Sequence, residues 1–121
     1  MEKVLGFGGF FFRAEDPSAL AEWYSAHLGI DPVPRDYESP CWKQEAGETV
    51  FAPFENVTEY FGNREKPFML NFRVRDLDRM IAQLEAENVE VRLDPDSPYP
   101  NGRFAWLNDP EGNPIELWEP A

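Results

Sequence analysis

The residues able to do chemistry are few, and their scarcity narrows the field. The chain holds one histidine, His27, and one cysteine, Cys41. Cys41 stands between Pro40 and Trp42 with no adjacent basic residue to hold it as a thiolate, so it reads as a small residue on a short strand. A single cysteine permits no internal disulfide, which fits a reducing compartment. Gly6, Gly8 and Gly9 raise the question of a phosphate-binding loop, but their spacing is wrong and no helix opens directly after them. Acidic residues number 23 and basic residues 11, for a net charge of −12. That sign repels nucleic acid and anionic membrane surfaces, so neither is expected as a partner. No basic stretch followed by an apolar run opens the chain, and no stretch reaches the ~18 apolar residues of a membrane span. A cytoplasmic location is expected.

The elements that must position any site follow from periodicity. Residues 4–13 read as a strand rich in aromatics, with glycines that mark a bulge or a close backbone approach. Asp16-Pro17 opens a helix, Asp16 as its cap and Pro17 at the first position. Leu20, Trp23, Tyr24 and Leu28 form its buried stripe and Gly29 ends it. Short strands are expected near 41–44 and 49–54, with Ala46-Gly47 turning between them. Residues 55–66 cross over as a loop. A strand over 68–74 follows, then a helix capped by Asp76 with a stripe of Leu77, Met80, Ile81 and Leu84. Val89, Val91 and Leu93 alternate as a strand. The last two strands, 103–108 and 114–119, flank the turn Asp109-Pro110-Glu111-Gly112-Asn113.

The pattern occurs twice. Phe12-Arg13-Ala14-Glu15-Asp16 matches Phe72-Arg73-Val74-Arg75-Asp76 at an offset of about sixty residues, and Ala46-Gly47-Glu48-Thr49-Val50 resembles Glu111-Gly112-Asn113-Pro114-Ile115 at about sixty-five. Each half reads as one βαβββ module, the first over about residues 4–56 and the second over about 67–119 of a single domain, 1–121. One module cannot bury its sheet alone. Two side by side make an α+β domain with a curved, eight-stranded mixed sheet, helices on the outer face and a cup on the inner one. A cup of this kind is where a small ligand sits.

These residues resemble the vicinal-oxygen-chelate superfamily, which includes glyoxalase I, bleomycin-resistance proteins and dioxygenases. The resemblance runs over about residues 5–119. Its carriers are Phe11-Phe12-Arg13-Ala14-Glu15-Asp16, His27-Leu28-Gly29-Ile30, Asn71-Phe72-Arg73-Val74-Arg75-Asp76-Leu77-Asp78 and, most specific, Asp109-Pro110-Glu111-Gly112-Asn113-Pro114-Ile115-Glu116-Leu117. It implies paired βαβββ modules, a homodimer and a glyoxalase-like cavity. In the family's enzymes it also implies a divalent metal, which polarises vicinal oxygens of the substrate. Carried over position by position, the ligands fall at Gly8 or Gly9, near Phe51, at Met69 and at Glu116. Glycine and phenylalanine offer no donor, and a thioether suits only soft metals. Glu116 alone matches, so no metal and no cofactor are expected.

Strand alternation from Gly9 and Met69 gives the cup's contents. Phe11, Arg13, Met69, Asn71, Arg73, Glu116 and Trp118 face inward, joined by Phe104 and Trp106, with Trp42, Phe51 and Tyr60 at the rim. This aromatic cavity with few polar groups suits an aromatic or cationic small molecule. Glu116 serves there as a ligand contact or a general base, or else forms a buried ion pair with Arg13 or Arg73. The alternative function is a lyase, isomerase or dioxygenase of the same superfamily, metal-dependent or using Glu116 as acid and base. His27, near a helix end away from the cup, is read as an ordinary surface residue.

Overall fold

The computed structural model describes all 121 residues. Its elements are α1 (Pro17–Leu28), β1 (Leu70–Arg73), α2 (Leu77–Ala86), β2 (Arg92–Leu93), β3 (Gly102–Asn108) and β4 (Pro114–Pro120). Both helices begin as their sequences dictate. The Asp16 carboxylate accepts from the Ala19 backbone N–H at 3.1 Å and Pro17 follows it. The Asp76 carboxylate accepts from the Arg79 N–H at 3.0 Å. Each thereby satisfies one of the N–H groups a helix start leaves without a partner. Gly29 ends α1 at φ 70°, the left-handed geometry that glycine adopts without strain.

The four strands lie in the order β1-β4-β3-β2. β1 runs parallel to β4, while β3 pairs antiparallel with both β4 and β2. From β1 to β4 this is one complete βαβββ module, as expected for the second half. Alternation sorts its side chains. Ala105, Leu107, Ile115 and Leu117 turn to the helices and form the core with Leu20 and Tyr24 of α1 and Leu77 and Leu84 of α2, with Leu70 and Phe72 packed against it. Leu77, Leu84, Ile115 and Leu117 are wholly buried, each worth roughly 2 kcal/mol of removed apolar surface. The helix of the first half is thus built into the core of the second.

The remainder of the first half departs from expectation. The sheet has four strands rather than eight, and no strand forms over 4–13, 41–44 or 49–54. Residues 31–54 make no backbone–backbone hydrogen bond. A strand exists only through its ladder. Here Pro53 lacks the N–H a ladder needs within 49–54, and Gly6, Gly8 and Gly9 bring no side chain to pack within 4–13. The strand expected around Val89–Leu93 shortens to Arg92–Leu93.

Candidate functional site

The site candidate is built on the sheet face opposite the helices. Register sets three side chains beside one another: Asn71 of β1 stands opposite Glu116 of β4, and so does Trp106 of β3. Glu116 is only 6% exposed. Its Oε1 accepts from Asn71 Nδ2 at 2.7 Å, and its Oε2 accepts from Trp106 Nε1 at 2.8 Å. Oε2 also accepts a hydrogen bond from the Tyr60 hydroxyl. All three donors are neutral. Burial first, and then the hydrogen bond to Glu116 and its charge, push the Tyr60 phenol well above its ordinary range, so it stays a donor.

A cavity of about 1290 Å³ runs along the β1 side of the sheet, with Glu116, Asn71, Arg73, Met69, Phe104 and Trp118 among its walls on this face, Phe72, Leu117 and Met80 on the helix side, and Trp42 contributed by the first half. Phe104 and Trp118, paired across β3 and β4, hold their rings parallel to within 3° with centroids 6.3 Å apart. The Trp118 indole donates to the Asn101 carbonyl at 2.8 Å, which fixes its orientation. Trp106 faces Glu116 with its N–H and carries the Arg92 guanidinium over its ring at 5.7 Å.

Of the residues expected in the cup, Met69, Asn71, Arg73, Phe104, Glu116, Trp118 and Trp42 gather at the cavity, and Trp106 supports it from beside Glu116. Phe11, Arg13 and Phe51 do not join them. Phe11 and Phe51 are exposed at 93% and 80%, and Arg13 is exposed too, because the strands meant to aim them have not formed. The buried ion pair between Glu116 and an arginine is also absent. Arg73 instead donates to the Glu45 carbonyl at 2.9 Å, while Arg75 pairs with the Glu45 carboxylate at 3.2 Å. His27 packs on Trp23, with ring centroids 5.2 Å apart. Cys41 is free and exposed.

Tyr60 is the partner that sequence underrated. Its sequence position points only to the rim, and nothing in a loop residue 56 positions from Glu116 announces a hydrogen bond to it. A second buried network was equally hidden. Asp109, 4% exposed, accepts from the Tyr24 hydroxyl at 2.6 Å, Asn113 Nδ2 at 2.7 Å, and the backbone N–H groups of Glu111 and Asn113. Glu111 accepts from the N–H groups of Glu15 and Asp16. The Asp-Pro-Glu-Gly-Asn turn therefore ties β3, β4 and the start of α1 together. Its role here is structural: none of its residues lines the cavity, and only the Gly112 carbonyl meets a cavity-wall residue, accepting from Asn63.

Comparison with known proteins places this architecture. The sequence profile of the glyoxalase-like domain matches residues 9–118, and the chain belongs to that family. It shares 44% identity over 50 residues with YaeR, an uncharacterized protein of Escherichia coli (strain K12), a stretch covering 41% of this chain and 39% of that one. Among solved structures, a putative glyoxalase family protein from Bacillus anthracis superposes with a TM-score of 0.55 at 22% identity, covering 86% of this chain and 84% of its own. TnmS3, an antibiotic binding protein from Streptomyces sp. CB03234, gives 0.53 at 24% identity, covering 88% of each chain. At these identities the likeness is one of fold.

The positions that the resemblance assigns to a metal are poor in donors. Gly8, Gly9, Phe51 and Met69 supply no hard donor, and the oxygens of Glu116 already accept from Asn71, Trp106 and Tyr60. No group of three or more His, Cys, Asp or Glu side chains comes together anywhere in the structure.

Proposed function

We propose that this glyoxalase-like domain binds a small aromatic or cationic molecule in the cup and does so without a metal. One observation carries the reading: a carboxylate more than nine-tenths buried, held by neutral donors alone, stands in the wall of a large cavity beside parallel aromatic rings. A buried carboxylate with no cation paired to it attracts a cation or strong donor from solution, and the net charge of −12 favours the approach of one. TnmS3, a protein of the same fold, is an antibiotic binding protein, which agrees with a cup that binds a small molecule. Acid–base catalysis by Glu116 is the less favoured reading, because three hydrogen bonds already hold its oxygens.

Titration of intrinsic tryptophan fluorescence with planar and cationic compounds tests this. Trp118 and Trp106 should report binding, and Glu116→Gln should weaken it about tenfold or more. Unchanged affinity in that variant removes Glu116 from the site. Elemental analysis of protein purified without chelator checks the metal; one equivalent per chain overturns the metal-free reading.

The same proposal includes a homodimer and the completion of the first module. Large apolar side chains at Val4, Leu5, Phe7, Phe10, Phe11, Val50 and Phe51 stand exposed in one half of the chain, more than a monomer ordinarily leaves in water. A second copy covering them would let residues 4–13, 41–44 and 49–54 find ladder partners and extend the sheet toward eight strands. Sedimentation at micromolar concentration should show a dimer; a monomer throughout argues against it. The free thiol of Cys41 suits a reducing, cytoplasmic setting. No helix is long and apolar enough to cross a membrane.

A further inference from the structure

A carboxylate offers about four acceptor directions, two on each oxygen. On Glu116, Oε2 accepts from both Tyr60 and Trp106, whereas Oε1 accepts only from Asn71. Oε2 is therefore filled and Oε1 keeps one direction. Glu116 and Asn71 line the cavity, while Tyr60 and Trp106 are not among its walls. The direction left open thus belongs to the oxygen whose other partner lines the cavity. Because a carboxylate only accepts, Asn71 must turn its NH₂ to Glu116, and its amide oxygen has no protein donor. Two adjacent acceptors, Glu116 Oε1 and Asn71 Oδ1, are left for a ligand.

We infer that the cup is selective for a primary or secondary ammonium on an aromatic body, its N–H groups bridging Glu116 Oε1 and Asn71 Oδ1. This rests on the binding role proposed above and names its ligand class. A guanidinium or amidinium wants a fork on both oxygens of one carboxylate, and the Tyr60 hydroxyl stands on the second. A quaternary ammonium has no N–H to give. Asn71 and Trp106 are placed opposite Glu116 by strand register. Tyr60 comes from the crossover loop, is 47% exposed, and stacks on Phe54. It is the residue that sets the choice. Five cations line the cavity and none pairs with Glu116: Arg75 and Arg64 are paired with Glu45 and Glu59, Arg73 is bonded to the Glu45 carbonyl, and Lys43 and Lys66 form no salt bridge. The parallel rings of Phe104 and Trp118 offer the aromatic body a surface.

The test is a calorimetric titration of the full chain with four compounds on one naphthylethyl scaffold: primary ammonium, guanidinium, trimethylammonium and neutral alcohol. The ammonium should bind at least about tenfold tighter than each of the others. In Tyr60→Phe, which frees a direction on Oε2, the guanidinium should gain about tenfold while the ammonium changes little. If the alcohol or the trimethylammonium compound matches the ammonium, the cup binds but this selectivity is wrong. Should guanidinium already match ammonium in the unaltered chain, Tyr60 does not set the choice. If none of the four binds, the binding role falls and the selectivity with it.

Discussion

The two halves of this chain start from the same short pattern and end differently. In both, an aromatic–arginine pair precedes an aspartate, and in both that aspartate caps a helix. There the likeness stops. The second half closes into a module with a filled core, whereas the first contributes one helix and leaves 13 large hydrophobic side chains exposed between residues 1 and 57, against three beyond them. The difference lies in what closes each hairpin. In the second half the buried Asp109 carboxylate collects four donors and locks the turn between β3 and β4. At the matching offset the first half has Gln44 and Glu48 where the second has Asp109 and Asn113. A local signal such as a cap is satisfied by neighbours in sequence. A ladder needs a partner strand held in register, and only one half holds its own.

This contrast can be broken most strongly at the turn. Asp109→Ala strands the Tyr24 hydroxyl, the Asn113 amide and two backbone N–H groups. It should cost about 3–4 kcal/mol in chemical denaturation. Gln44→Ala, its counterpart, should stay within about 0.5 kcal/mol. Equal losses would mean that both hairpins are clamped alike.

Two glycines, one in each half, differ in the same way. Gly102 lies at φ 131°, and a Cβ there would fall on the Glu119 carbonyl oxygen and come within 2.9 Å of the Trp118 indole nitrogen. Gly102→Ala should lose about 2–3 kcal/mol. Gly47 meets only the Arg73 guanidinium, the far end of a flexible side chain. Gly47→Ala should move the unfolding midpoint little, by less than about 0.5 kcal/mol.

The smallest effect concerns pH. Burial, then the hydrogen bond to Asp109 and its charge, push the Tyr24 phenol far above its ordinary value of 10.0. Above that pH the unfolded chain releases a proton that the folded chain keeps, so stability must fall as pH rises. Below it, this contribution is fully present. Urea denaturation from pH 8 to about 11 should show the decline. Tyr24→Phe should cost about 1 kcal/mol at neutral pH and flatten the alkaline slope. An unchanged slope would place the responsible group elsewhere, Tyr60 being the next to examine.

Much of the architecture was legible from residue order because it rests on short-range rules. Asp16 and Asp76 announce helix starts, Gly29 a helix end, and the alternation of Asn71, Glu116 and Trp118 against Phe72, Ile115 and Leu117 separates the two sheet faces. The placement of Phe104, Trp106, Met69 and Arg73 with the cavity face followed from the same period of two. Phe11, Arg13 and Phe51 were misplaced for a single reason: alternation assigns a face only where a strand exists. The expected salt bridge to Glu116 failed because Arg73 found a nearer acceptor in the Glu45 carbonyl.

Residue order was enough to place the helices, the second module and the inward direction of Glu116, and to show no hard ligand at three of the four positions matched to a metal. These depend on periodicity and on which side chains carry donors. Tertiary structure alone decided what Glu116 touches. Its oxygens meet Asn71 and Trp106 through cross-strand register and Tyr60 through a loop closing from 56 residues away. Such contacts are fixed by how distant segments pack, and no local pattern encodes them.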